Sequence, residues 1–149
     1  MNSDELLAIY DDENEFGKSN GYVLKTIEPG HIEYRMTITK EHVAFKSVSH
    51  GGAIAALMDS SLGVAALSQS VTEGLLVSTV EFKLNYIKPA HLGDKLIGIG
   101  KVAHNGKSLM ISDAHIYIEG TDTLIAKGQG TFNKYPMHKK GLTDVYETK

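Results

Sequence analysis

The densest chemistry in this 149-residue chain lies in the run Ser49, His50, Gly51, Gly52, Ala53, Ile54, Ala55, Ala56, Leu57, Met58, Asp59. Two glycines stand where a helix should begin, so a ligand can approach the backbone closely there. The first N–H groups of a helix have no partner within it and lie at the positive end of its dipole. Such groups can stabilise a developing oxyanion. Asp59 is a carboxylate on an otherwise apolar stretch, where burial is costly unless it has a partner or a task. It can act as a general base or as a nucleophile on an acyl carbon. The two features together describe acyl transfer or hydrolysis. Each also has a plainer reading: a Gly-Gly pair can be only a turn, a lone helical Asp only a hydrogen-bonded structural residue, and His50 only a capping or packing residue.

Spacing adds a constraint. Eight residues separate Gly51 from Asp59, which is about 12 Å along a helix axis. One reacting carbonyl has to lie roughly 3 Å from both its oxyanion donor and its attacking group. The two groups of one chain therefore cannot serve the same carbonyl. A second copy, its helix running antiparallel, brings Gly51 of one subunit to Asp59 of the other, and twofold symmetry makes two such sites.

Periodicity shows the elements that must hold these groups. Residues 51–69 are rich in Ala and Leu, lack proline and carry few large or charged side chains. A helix this apolar has no broad polar face for water and belongs inside protein. Before it, residues 3–15 read as a short helix capped by Ser3, with Asp4 and Glu5 at its positive end and Leu6, Leu7 and Tyr10 as its apolar stripe. Residues 21–27 and 31–39 read as a hairpin around Glu28, Pro29 and Gly30. After the helix come four strands, at residues 75–88, 95–103, 107–119 and 123–133, expected to form a three-hairpin meander. A polar tail is expected over residues 134–149. The layout is a single α+β domain over residues 1–149, a curled antiparallel sheet wrapped around one long central helix.

Composition narrows the function classes. The formal net charge is −3 with no basic stretch, which argues against a nucleic-acid partner. The longest uninterrupted apolar or small run, residues 51–58, is far too short to span a bilayer, so no membrane partner is expected. Residues 1–16 have neither the basic nor the apolar stretch of a secretory signal, which favours the cytoplasm. Zero cysteines exclude disulfides and thiolate metal sites. The seven histidines make no metal-ligand spacing, so no metal is expected.

The run from His50 through Asp59 and on to Ala66 resembles the signature of hotdog-fold thioesterases of the PaaI-like branch. The resemblance continues through the strand ending Asn85, Tyr86, Ile87, Lys88, Pro89 and its Gly93-Asp94 turn, and into Gly106, Lys107 and Ser108. It covers residues 43–133. It implies hydrolysis of acyl-CoA thioesters by a homodimer or homotetramer, with coenzyme A as part of the substrate and no further cofactor. It makes Asp59 the base or nucleophile and the Gly51 N–H the group that polarises the thioester carbonyl, with His50 shaping that end. It puts a water-steadying hydroxyl at Thr79, although simple alternation sets Thr79 on the face of Glu81 and Lys83 and makes Ser78 the competitor unless the strand is bulged. Gly106, Lys107 and Ser108 fall where the family contacts the nucleotide end of coenzyme A. Gly52 adjoins the donor end, and Leu57, Met58 and Leu62 are expected to line the acyl pocket. Ser60 or Ser61 is a candidate hydrogen-bond partner for the carboxylate of the second subunit. The chain departs from the family pattern at two places: Ala44 stands for an Asn and Ser47 for a Gly. His42 or Ser47 is the nearest group to take the Asn's place. The alternative on the same fold is a non-catalytic acyl-CoA-binding module.

Overall fold

The computed structural model describes residues 2–140. In chain order the elements are α1 (Ser3–Glu13), α2 (Glu15–Ser19), β1 (Val23–Glu28), β2 (His31–Thr37), β3 (Val43–Phe45), β4 (Val48–Ser49), α3 (Gly51–Ser70), β5 (Leu75–Tyr86), β6 (Lys95–Asn105), β7 (Leu109–Ile118) and β8 (Leu124–Pro136). Six strands form one antiparallel sheet in the order β1-β2-β6-β7-β8-β5, and β3 pairs with β4 as a separate hairpin. The α3 helix packs against β2, β5, β6, β7 and β8 alike, so the sheet curls around it as expected.

Alternation on the strands builds the core. Ile32, Tyr34 and Met36 of β2, Met110, Ala114 and Ile116 of β7 and Phe132 of β8 all point inward and are buried against Leu57, Met58, Leu62 and Ala65 of α3. Each large side chain so buried stabilises the fold by about 1.5–3 kcal/mol. The helix comes very close to the sheet because the strands beneath it carry glycine. A Cβ on Gly100 would collide with the Ser61 carbonyl oxygen, one on Gly98 with the Ser61 hydroxyl, and one on Gly128 would stand 2.8 Å from the Met58 Sδ. The helix stretch Gly51–Glu73 has a mean hydropathy of 1.3 over its most apolar window, 56% of which is buried in the molecule. Its apolarity serves this core.

Four expectations need correction. Asn2, not Ser3, caps α1: its Oδ1 accepts from the Glu5 N–H at 2.9 Å while Glu5 Oε2 accepts from the Asn2 N–H at 3.0 Å. The expected helix over residues 3–15 stops at Glu13, because the Asn14 side chain accepts from the Gly17 N–H and starts α2. The polar tail begins later than residue 134, since β8 runs on to Pro136 to match the long β5, and the Lys134 ammonium lies 2.8 Å from Glu73. The part of the expected tail at residues 141–149 lies outside the described residues.

The fourth correction matters most for the site. β5 and β6 are not a hairpin: β5 pairs only with β8, while β6 sits between β2 and β7. The link between them spends its backbone groups elsewhere. Ala90 O accepts from Ser49 N, Leu92 N donates to Ser47 O, Gly93 N donates to Ile38 O, and Asp94 O accepts from Ile38 N. The link thus straps the β3–β4 hairpin, and with it the start of α3, to the end of β2.

Candidate active site

The helix start is built mostly from backbone. His50 has an extended backbone, φ −59° and ψ 138°, and its Nδ1 accepts from the Gly52 N–H at 2.7 Å. Its own N–H donates to His42 O at 2.7 Å, and its carbonyl accepts from Ala53 N. The Gly51 N–H makes no hydrogen bond among the described residues, and Gly51 and Gly52 are both exposed. Gly51 also carries a close contact: the Tyr86 hydroxyl donates to Gly51 O at 2.8 Å, and a Cβ there would lie 3.2 Å from that hydroxyl, so a small side chain asks Tyr86 to shift slightly. An exposed, unspent N–H at a helix start is a group that can stabilise an oxyanion.

The turn before the helix explains one departure from the family pattern. Lys46 and Ser47 have φ of +46° and +62°, the left-handed pair that closes the β3–β4 hairpin. Glycine is the natural residue at such a φ, so Ser47 keeps the conformation at a cost in strain. Ala44 is exposed on β3. Of the two nearby candidates for the missing Asn, His42 is already bound to other partners. The Thr39 N–H donates to His42 Nδ1 at 3.0 Å, which leaves the proton on Nε2 to donate to Asn20 Oδ1 at 2.9 Å. His42 is thereby buried with both ring nitrogens engaged.

Asp59 lies two turns along α3 and is half-buried. The Thr79 hydroxyl donates to its Oδ1 at 3.0 Å. A bulge makes this possible: Thr79 pairs with Phe132 and Glu81 with Thr131, so Val80 is left over. One extra residue reverses the phase of the strand. Phe82 and Leu84 then face the core beyond the bulge, and Thr79 faces Asp59 before it. Ser78, the competitor, lines the same cleft without bonding the carboxylate.

The cleft at Asp59 has a volume of about 200 Å³ and is lined by Tyr10 of α1 together with Ser60, Gly63, Ser78 and Thr79. Burial raises the Tyr10 phenol above its ordinary pKa, and the Asp59 and Asp11 charges add to the shift. Burial likewise pushes Tyr22 up to about 12, with Ser60 pulling against it and Asp59 adding to it. Both phenols are neutral at neutral pH. The sequence reading took Tyr10 as part of an apolar stripe and missed its place in the lining of the Asp59 cleft; its polar tip on an otherwise apolar face was the available signal.

The remaining candidates divide. Gly106, Lys107 and Ser108 form the β6–β7 turn, and Ser108 O accepts from Lys134 N at 2.8 Å. Leu109 pairs with Asn133 and Asn133 with Ser78, so the turn stands at the Thr79 end of the sheet, two strands or about 10 Å across. By contrast, Leu57, Met58 and Leu62 are fully buried between α3 and its own sheet. They face the glycine-lined strands and are core residues, so they do not line an open acyl pocket. Ser61 is likewise fully buried, whereas Ser60 borders the cleft. No group of three or more His, Asp or Glu side chains that could hold a metal is found among the described residues.

Comparison with known proteins identifies the family. The family model described as the thioesterase superfamily matches residues 47–125, more than half of the chain. Human acyl-coenzyme A thioesterase 13 is 29% identical over 109 residues, 72% of this chain and 76% of the relative. Acyl-coenzyme A thioesterase PaaI of Escherichia coli is 26% identical over 99 residues, 66% of this chain and 68% of the relative. The solved structure of E. coli PaaI superposes with a TM-score of 0.81 at 21% identity, over 89% of this chain and 93% of that one. A Streptococcus pneumoniae thioesterase solved with coenzyme A superposes with a TM-score of 0.73 at 20% identity, over 85% of this chain and 97% of that one. The chain belongs to the thioesterase superfamily and is a PaaI-like thioesterase of the hotdog fold.

Proposed function

We propose that this thioesterase hydrolyses acyl-CoA esters to a free acid and CoA, at a site shared between two copies of the chain. One observation carries the reading: Asp59 is held by Thr79 in the lining of a cleft, while the Gly51 N–H is unspent on the same helix. The acyl-CoA named for its relatives supports the substrate class.

The two groups lie about 12 Å apart along α3, too far to serve one carbonyl. A twofold pair resolves this. β5 is the last strand of the sheet and its outer edge is unpaired among the described residues. Val80 and Tyr86 of β5 each expose 57% of their surface. Such an edge is a template for a second strand, and two β5 strands meeting there antiparallel set the two α3 helices antiparallel as well.

In that arrangement Gly51 of the partner subunit donates to the carbonyl oxygen of the thioester. Asp59 takes a proton from water, which Thr79 steadies, and the hydroxide attacks the carbonyl carbon. The oxyanion collapses, the carbon–sulfur bond breaks, and the thiolate leaves with the proton Asp59 held. If Asp59 attacks directly, an acyl anhydride forms as the carbon–sulfur bond breaks and CoA leaves as thiolate, and water opens the anhydride in a second step to give the free acid and Asp59. His50 holds the helix start through Gly52. The turn at Gly106, Lys107 and Ser108 is proposed to meet the nucleotide end of CoA. CoA is part of the substrate, and this route calls for no metal or other cofactor. The shared site calls for a homodimer, or a homotetramer built from two.

The test is complementation, read as thiol release from a panel of acyl-CoA esters. Asp59→Ala removes the carboxylate. Gly51→Pro removes the donor N–H at the first helical position, where proline is tolerated, and His50 already has the extended backbone that must precede it. Each variant alone is expected to be inactive. Refolded as a mixture, they form heterodimers with one intact site and regain up to about a quarter of wild-type activity. Two inactive variants that stay inactive when mixed would refute a shared site. Ala44 favours the alternative of a binding module, and wild type that binds the esters without releasing thiol would decide for it.

A further inference from the structure

The Asp59 cleft does not end at Tyr10. Tyr10, Leu67 and Val77 also line a second, larger groove of about 500 Å³, which runs between α1 on one side and α3 with β5 on the other. Its apolar walls are Leu6 and Ile9 of α1, Leu67 of α3, Val71 just beyond it, and Leu76 and Val77 of β5, and Glu13, Asn14, Glu15 and Tyr135 also line it. Together the two spaces fall in the size range of pockets that enclose small organic ligands. The Asp59 cleft holds a carboxylate and a hydroxyl, and the larger groove is mostly apolar with two carboxylates among its lining.

We propose that the groove receives the acyl tail of the substrate, a straight alkyl chain, and that α1 sets the length it accepts. This rests on the thioesterase reading above and adds the acyl class. The thioester carbonyl must stand near Asp59, and the groove opens directly from there. Its six aliphatic side chains offer contact area to methylenes, and Glu13 and Glu15 set negative charge against an anionic acyl group. Tyr10 stands where the two spaces meet, since its side chain lines both. It is the gate between the reacting end and the tail.

The placement of α1 makes length selection physical. Leu6 and Leu7 pin the helix to Leu67 and Val71 as a small core of their own. Ile9, one turn on, is only half-buried and looks into the groove. Its size therefore decides how much of the groove is free without disturbing the anchor.

The experiment measures binding and turnover across butanoyl, hexanoyl, octanoyl and decanoyl chains, using CoA esters for kcat/KM and non-hydrolysable CoA thioethers for Kd. Wild type is expected to gain roughly fourfold in affinity per added methylene while the groove fills. Ile9→Trp fills the groove and should lower the decanoyl-to-butanoyl ratio at least tenfold. Ile9→Ala enlarges it and should raise that ratio or extend the gain to longer chains, which keeps the idea testable if the Trp variant fails to fold. A flat length series in wild type, or a ratio unmoved by both substitutions, would overturn the proposal. Absence of thiol release with an Ile9-dependent length series in thioether binding would keep the groove and remove only the hydrolytic reading.

Discussion

The two places on α3 proposed to work together are made of different material. At the start of the helix the proposed working group is a backbone N–H, presented because glycine leaves it bare and His50 ties down its neighbour Gly52. Two turns on, the proposed working group is the Asp59 side chain, held by Thr79 of β5. The first place depends on the strap of hydrogen bonds from the β5–β6 link to Ser47 and Ser49. The second depends on one bulged residue, Val80. A donor in the backbone survives almost any side-chain change nearby, whereas a side-chain pair is lost by one substitution on either strand or helix.

That contrast can be tested in descending order of effect. Asp59→Asn keeps the shape and the hydrogen-bonding ability of the side chain but removes its basicity. Thiol release should fall about 10²–10⁴-fold with little change in Tm. A variant within twofold of wild type would dismiss the carboxylate as catalytic. At the other place, Gly51→Pro should cost about 10²–10³-fold in kcat. Gly51→Ala, which retains the N–H and only nudges the exposed Tyr86, should lose much less. Equal losses from the two would mean that space, not the donor, matters there.

Smaller effects sharpen the comparison. Thr79→Val should lower kcat about tenfold, the worth of one hydrogen bond to a charged group. Thr79→Ser should restore most of it, and Ser78→Ala should stay within about twofold. If Ser78→Ala were the damaging change, the bulge would not set the phase of β5 in the working enzyme. Smallest of all, Ser47→Gly relieves the left-handed strain in the turn that leads into α3. A gain of about 0.5–1 kcal/mol in unfolding free energy is expected from denaturant titration. A loss would mean that the Ser47 side chain does something its backbone does not reveal.

Much of this molecule could be read along the chain. The long apolar helix shows in its lack of large polar residues, and the β1–β2 hairpin in Glu28, Pro29 and Gly30. The order of the motif from His50 to Asp59 pointed to acyl chemistry because both ends of it are local: helix N–H groups and a carboxylate are where they are by virtue of helical geometry alone. The demand for a second copy also came from helix rise, a property of the backbone that no packing alters.

Other features belong to packing between distant segments. Alternation left Ser78 and Thr79 in competition, because a bulge is a property of two paired strands and β8 decides it. Leu57, Met58 and Leu62 looked like pocket lining, since apolar side chains suit a pocket and a core equally well. Only the glycines of β6 and β8, which draw the helix down onto the sheet, assign them to the core. The β5–β6 link reads as a hairpin turn until its backbone partners are found thirty or more residues upstream, on the strand end and hairpin that frame the helix start. Tyr10 is an apolar-stripe residue until α1 docks beside α3 and brings it over Asp59. Local geometry determines which groups a segment can offer; which groups meet is decided by long-range contacts, whose energies no single segment contains.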